Sequence, residues 1–166
     1  MNHKKSVDVL LSGILMIALA TALIIFVMYF LSPTIKGQEN QASFENAKTT
    51  LKLITEKVQD VQLSGKGTIQ KLSISFSSFT ITFNDNNNFI QIDLQDDSIA
   101  LGTDYNEGSI NISKPESQTI LKADLNKNID LNILDTNILS QGNHNLIIKN
   151  QGLNALNQVV ISVGVE

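Results

Sequence analysis

Hydrophobic and polar residues follow three rhythms along this chain. Residues 9–31 form an uncharged run of 23 positions, "VLLSGILMIALATALIIFVMYFL". As a helix this run rises roughly 34 Å, enough to cross the roughly 30 Å hydrocarbon core of a bilayer. A second rhythm begins after Ser32-Pro33, a step that either kinks the helix or restarts it with Ser32 as N-cap and Pro33 in the first turn. Phe44, Ala47, Leu51, Ile54, Val58 and Val61 then recur at spacings of 3, 4, 3, 4 and 3, one apolar stripe over about five helical turns. Glu45, Lys48, Lys52, Glu56 and Asp60 occupy polar positions, and Ser64-Gly65-Lys66-Gly67 is a suitable C-terminal stop. The stripe is expected to lie on the chain's own domain; a coiled-coil seam with another chain is the alternative, with fewer than four heptads to carry it.

From residue 68 the period is two. Leu72, Ile74 and Phe76 alternate with Ser73 and Ser75, Phe79, Ile81 and Phe83 with Thr80 and Thr82, and Ile90, Ile92 and Leu94 with Gln91 and Asp93, as half-buried strands do. "NDNNN" at 84–88 reads as a turn, because Asn and Asp bond their own backbone and tolerate left-handed conformations. Further strands fit 109–113, 119–125, 129–134, 145–150 and 159–165. The expected fold class is α+β: a long N-terminal helix, membrane-spanning and then amphipathic, followed by an antiparallel β-sandwich-like domain. The parts are a basic leader at 1–6, an apolar helix at 7–32, an amphipathic helix at 33–66 and the β domain at 67–166.

A cleaved secretory signal fits poorly, since the only Ala-x-Ala pattern, Ala18 and Ala20, lies in mid-run. His3, Lys4 and Lys5 on one flank, against a single Lys36 before Glu39 on the other, favour a cytoplasmic N-terminus and an extracellular C-terminal domain. Absence of cysteine excludes disulfides, thiol catalysis and thiolate metal sites. All basic residues are Lys, and the net charge is −4. With no basic stripe and no Arg to read bases, nucleic acid is not an expected partner.

Little catalytic chemistry is in view. His144, in "SQGNHNL", would serve any imidazole chemistry alone beyond His3 and is expected in a solvated turn. Asp124, Asn126, Asn128, Asp130 and Asn132 place oxygens at alternate positions, faintly like a calcium loop. Ile129 stands where such a loop needs Gly, no Glu closes it, and the wet face of a strand explains the spacing. No metal or other cofactor is expected. Asn111-Ile112-Ser113 is the only Asn-x-Ser/Thr sequon; among so many Asn residues one such match is expected by chance, and Asn111 stands as a glycosylation candidate only. No phosphate loop or nucleophile motif appears, so the expected role is not enzymatic.

Lys4-Lys5-Ser6, the acid-containing "VDV", the unbroken apolar helix, the amphipathic helix and the β-rich domain together resemble an archaeal type IV pilin-like protein. The resemblance implies a leader cut by a prepilin-type peptidase between Ser6 and Val7. It also implies an Asp8 near the new amino terminus, and a retained helix that sits first in membrane lipid and later in a filament core with other pilin-like subunits. Gly13, with Ala18, Ala20 and Ala22, offers small surfaces for helix packing, although plain lipid-facing sequence is also rich in small residues. The sequence departs from the family at three points: the residue before the cut is more often Gly or Ala, Asp8 is not at the fifth mature position, and Gly13 offers a competing boundary. A permanently anchored single-pass protein, its β domain bound to the envelope layer or to a surface-filament motor, is the competing expectation.

Overall fold

A computed structural model of the chain describes residues 3–94, 104–115 and 118–166. One helix, α1 (His3–Leu63), precedes ten strands among the described residues. These are β1 (Ile69–Phe76), β2 (Phe79–Asn84), β3 (Phe89–Leu94), β4 (Tyr105–Glu107), β5 (Ile110–Ser113), β6 (Thr119–Asp124), β7 (Ile129–Ile133), β8 (Ile138–Leu139), β9 (Gly142–Leu153) and β10 (Val159–Val165). The chain divides into two compact units, Met1–Glu39 and Asn40–Glu166. The layout is the expected α+β, a long helix and then antiparallel-rich sheets.

Ser32 and Pro33 lie inside α1, so the helix is not restarted there. Proline lacks one N–H and so leaves one carbonyl, that of Tyr29 four residues back, without its helical donor, while the turns on either side continue as helix. The helix stops where the Gly-rich segment was expected to stop it. Ser64 N–H and Oγ both donate to the Asp60 carbonyl, at 3.0 and 2.6 Å. Gly65 then takes φ = 87°, in the left-handed region that ends helices and that glycine enters without a Cβ penalty.

The strands form a four-stranded sheet, β1-β9-β10-β7, and a six-stranded sheet, β4-β5-β6-β3-β2-β8. One pair departs from the antiparallel expectation: β7 and β10 run parallel, with Leu131 opposite Ile161. Parallel neighbours need a long connection, which here passes through β8 in the other sheet and back through β9. The inward residues of both sheets and the stripe on α1 share one core. Ala47, Leu51, Ile54, Val58 and Val61 are fully buried and Phe44 nearly so. They join Leu72, Ile74, Ile161 and Val163 from one sheet with Ile81, Ile92 and Leu121 from the other. The stripe therefore belongs to its own domain.

Two polar residues in this core have opposite standing. Asn150 on β9 is buried and holds the end of α1. Its Nδ2 donates to the Val61 and Gln62 carbonyls at 3.0 and 3.4 Å, and its Oδ1 accepts from Gly152 N–H at 2.8 Å. Its main chain donates to the Thr68 carbonyl and accepts from Gly67 N–H, both at 2.9 Å. The terminal carbonyls of a helix need such partners. Asn150→Ala is expected to cost about 2–3 kcal/mol, the scale of leaving buried groups unpaired; thermal unfolding and amide exchange in the last turn of α1 check this. Thr119 is the opposite case: its side chain points into the core and its buried Oγ1 has no hydrogen-bond partner among the described residues. Thr119→Val keeps the shape and removes an unpaid desolvation, so stability is expected to rise by about 1 kcal/mol, read as a higher thermal midpoint.

Candidate functional site

The apolar half of α1 is the unusual surface of this molecule. Large side chains from Ile14 to Leu31 are 47–77% exposed, around the whole circumference of the helix. A soluble monomer rarely exposes a continuous apolar surface of this extent. The helix is long and apolar enough to cross a membrane, and hydrophobic residues on every side suit a lipid surrounding. Thr21, a polar residue in mid-run, donates its Oγ1 proton to the Ile17 carbonyl at 2.8 Å. That leaves no free hydroxyl donor there, as a hydrocarbon surrounding demands. Gly13 has nothing within 4 Å of where a Cβ would stand, so its missing side chain is not filled by a neighbour within this chain. Lys4, Lys5, Ser6, Val7 and Asp8 belong to the helical backbone of α1; their side chains lie outside the described residues.

In the unit Asn40–Glu166 the polar candidates are dispersed. His144 sits in β9, half-exposed. Its ring nitrogen bonds the Ser140 carbonyl at 2.7 Å, and the ring stacks on Phe76 at 5.4 Å. The expected turn is thus corrected to a strand, held by pairing of Ile74 with His144 across β1 and β9. The stretch 124–135 is not one continuous wet-faced strand. A turn at 126–128 separates β6 from β7, and its oxygens go to separate partners. Asp124 meets Lys122 at 2.8 Å, the Asn126 oxygen accepts from Asn128 N–H at 3.1 Å, and Asp130 accepts from Asn154 at 2.9 Å. Among the described residues no group of three His, Cys, Asp or Glu could hold a metal. Asn111 is exposed on the outward face of β5, between Asn106 and Lys122 on the neighbouring strands.

A groove of about 580 Å³ lies between α1 and the β4–β5 hairpin, lined by Lys48, Lys52, Glu56, Gln59, Glu107 and Ser109 among others. At its edge Lys48 reaches Glu45 at 3.1 Å and Glu107 at 3.2 Å. The hydrogen bond to Glu45 and then that to Glu107 raise the Lys48 ammonium above its ordinary value of 10.5, against a smaller opposing desolvation. A raised lysine adds stability that is full below the unfolded value and lost as pH rises through the folded one. The contribution therefore holds across neutral pH and is lost in strong alkali. No sequence signal marked this ion pair, because 59 residues separate Lys48 from Glu107. Comparison with protein-family models, curated proteins and solved structures finds no match.

Proposed function

We propose that this protein is a structural cell-surface subunit of the type IV pilin-like kind. It is made as a membrane-anchored precursor, cut beside Ser6 by a prepilin-type peptidase, and assembled with copies of itself or with other pilin-like subunits. The observation that carries this reading is the double character of α1. Its first half exposes apolar side chains in every direction, while its second half is the core stripe of the β domain. A helix so built presents the β domain while its own apolar half is buried elsewhere, first in lipid and then among neighbouring helices. Either surrounding spares these side chains the roughly 0.8 kcal/mol per methylene that exposure to water would cost. The role is non-enzymatic and uses no cofactor.

Shearing of intact cells tests this. The subunit is expected in the sheared filament fraction without detergent. Recovery only from detergent-solubilised membranes would favour instead a permanent anchor whose β domain docks on the envelope layer or a filament motor.

A further inference from the structure

Resting on the anchor reading above, we infer that residues 9–28 are the part of α1 that lies in hydrocarbon. Tyr29 and Phe30 then begin an aromatic collar in the headgroup layer at the C-terminal end of the span, with Phe26 packed against Phe30 from the hydrocarbon side. Length alone does not select these residues. From Val9 to Ile35 the chain carries no charge, and those 27 residues would rise about 40 Å, some 10 Å more than the hydrocarbon is thick.

Three observations choose the register. The first is the ring cluster itself. Phe26 and Phe30 pack at 4.4 Å between centroids and Tyr29 meets Phe30 edge-on at 5.6 Å, with Tyr29 77% exposed. Aromatic side chains with one polar end collect at the membrane–water boundary, where the ring is half-buried and the hydroxyl wet. The second is backbone chemistry. Since α1 continues through Pro33, the Tyr29 carbonyl faces a nitrogen that carries no hydrogen. A backbone carbonyl without a donor is costly in hydrocarbon and is readily hydrated among headgroups. The third is the count. If Tyr29 marks one boundary, the twenty residues before it rise about 30 Å and reach Val9, which leaves Asp8 as the first charge beyond the other boundary. Rings, carbonyl and nearest charge agree on one placement, and residues 30–35 become an interfacial segment ahead of Lys36.

The chain contains no tryptophan, so single tryptophans report depth cleanly. Full-length Leu19→Trp, Tyr29→Trp and Ile35→Trp would each be placed in phosphatidylcholine vesicles carrying bromines at graded acyl depths. Leu19→Trp is expected to be quenched most by the deepest bromines. Tyr29→Trp should be quenched only by the shallowest, and Ile35→Trp by none, with an emission maximum to the red of Tyr29→Trp. Converting Tyr29 and Phe30 together to Ala in the Leu19→Trp chain should move that tryptophan off the midplane. Deep quenching of Tyr29→Trp, or a Leu19→Trp profile unmoved by the double alanine change, would overturn the register and collar while keeping the anchor. A water-like, unquenched Leu19→Trp would overturn the anchor reading itself.

Discussion

Leu51→Asp and Ile54→Asp should each cost the β domain about 5 kcal/mol or more, enough to unfold a domain whose whole stability is of order 5–15 kcal/mol. Both positions are fully buried on the stripe of α1 that completes the core. Each change removes an isobutyl-sized side chain, typically worth 2–5 kcal/mol. It also places a carboxylate among buried apolar side chains, a further cost that burial of an unpaired charge makes large. Glu56→Ala, on the solvent side of the same turns, should shift stability by less than about 0.5 kcal/mol. Thermal unfolding of an outer fragment beginning near Gly37 reads all three. Unchanged midpoints for the two Asp variants would mean that the stripe does not cover the sheets.

Removal of residues 158–166 should make the same fragment insoluble. β10 is an interior strand, paired antiparallel with β9 along Val159–Val165 and parallel with β7 along Val159–Val163. It contributes Ile161 and Val163 to the core. Its loss opens the β9 edge, detaches β7 from the sheet and exposes apolar residues that β10 covered. Long unpaired edges with apolar faces are templates for aggregation. The strand is also held outside the core, by Leu134 N–H donating to the Val163 carbonyl at 3.0 Å and by Val165 N–H donating to Asp135 Oδ2 at 3.0 Å. A truncated fragment that stays soluble and unfolds cooperatively would contradict this placement.

What could be read in advance was whatever repeats locally. Spacings of three and four mark every buried apolar residue of α1 from Phe44 to Val61, though not Thr50 and Thr55, which are buried beside them, and alternation marks the inward sides of β1, β2 and β3. β4 and β8, three and two residues long, are too short to show a period and exist because a longer neighbour pairs with them. β9 begins at Gly142, earlier than alternation suggested. The Gly, Asn and His residues there look like a turn, and only pairing with β1 over Gly142–Phe76, Asn143–Ser75 and His144–Ile74 makes them a strand. The parallel register of β7 and β10 is likewise a long-range outcome. Pro33, a local signal for a kink or a restart, sits within a helix that continues on both sides. Of the candidate site, the exposed apolar helix was plain from its uncharged length. The Lys48–Glu107 pair and the Asn150 clasp on the end of α1 were not, since each joins residues distant in sequence.

Intact-mass and N-terminal analysis of the protein taken from its native membrane bears most directly on the proposed role. A mature chain beginning at Val7, with Asp8 and the whole apolar helix retained, is the expected result. A native protein that still begins with Met1 would contradict it and establish a permanent anchor, and a chain beginning near Thr34 or later would contradict the retention of the helix altogether.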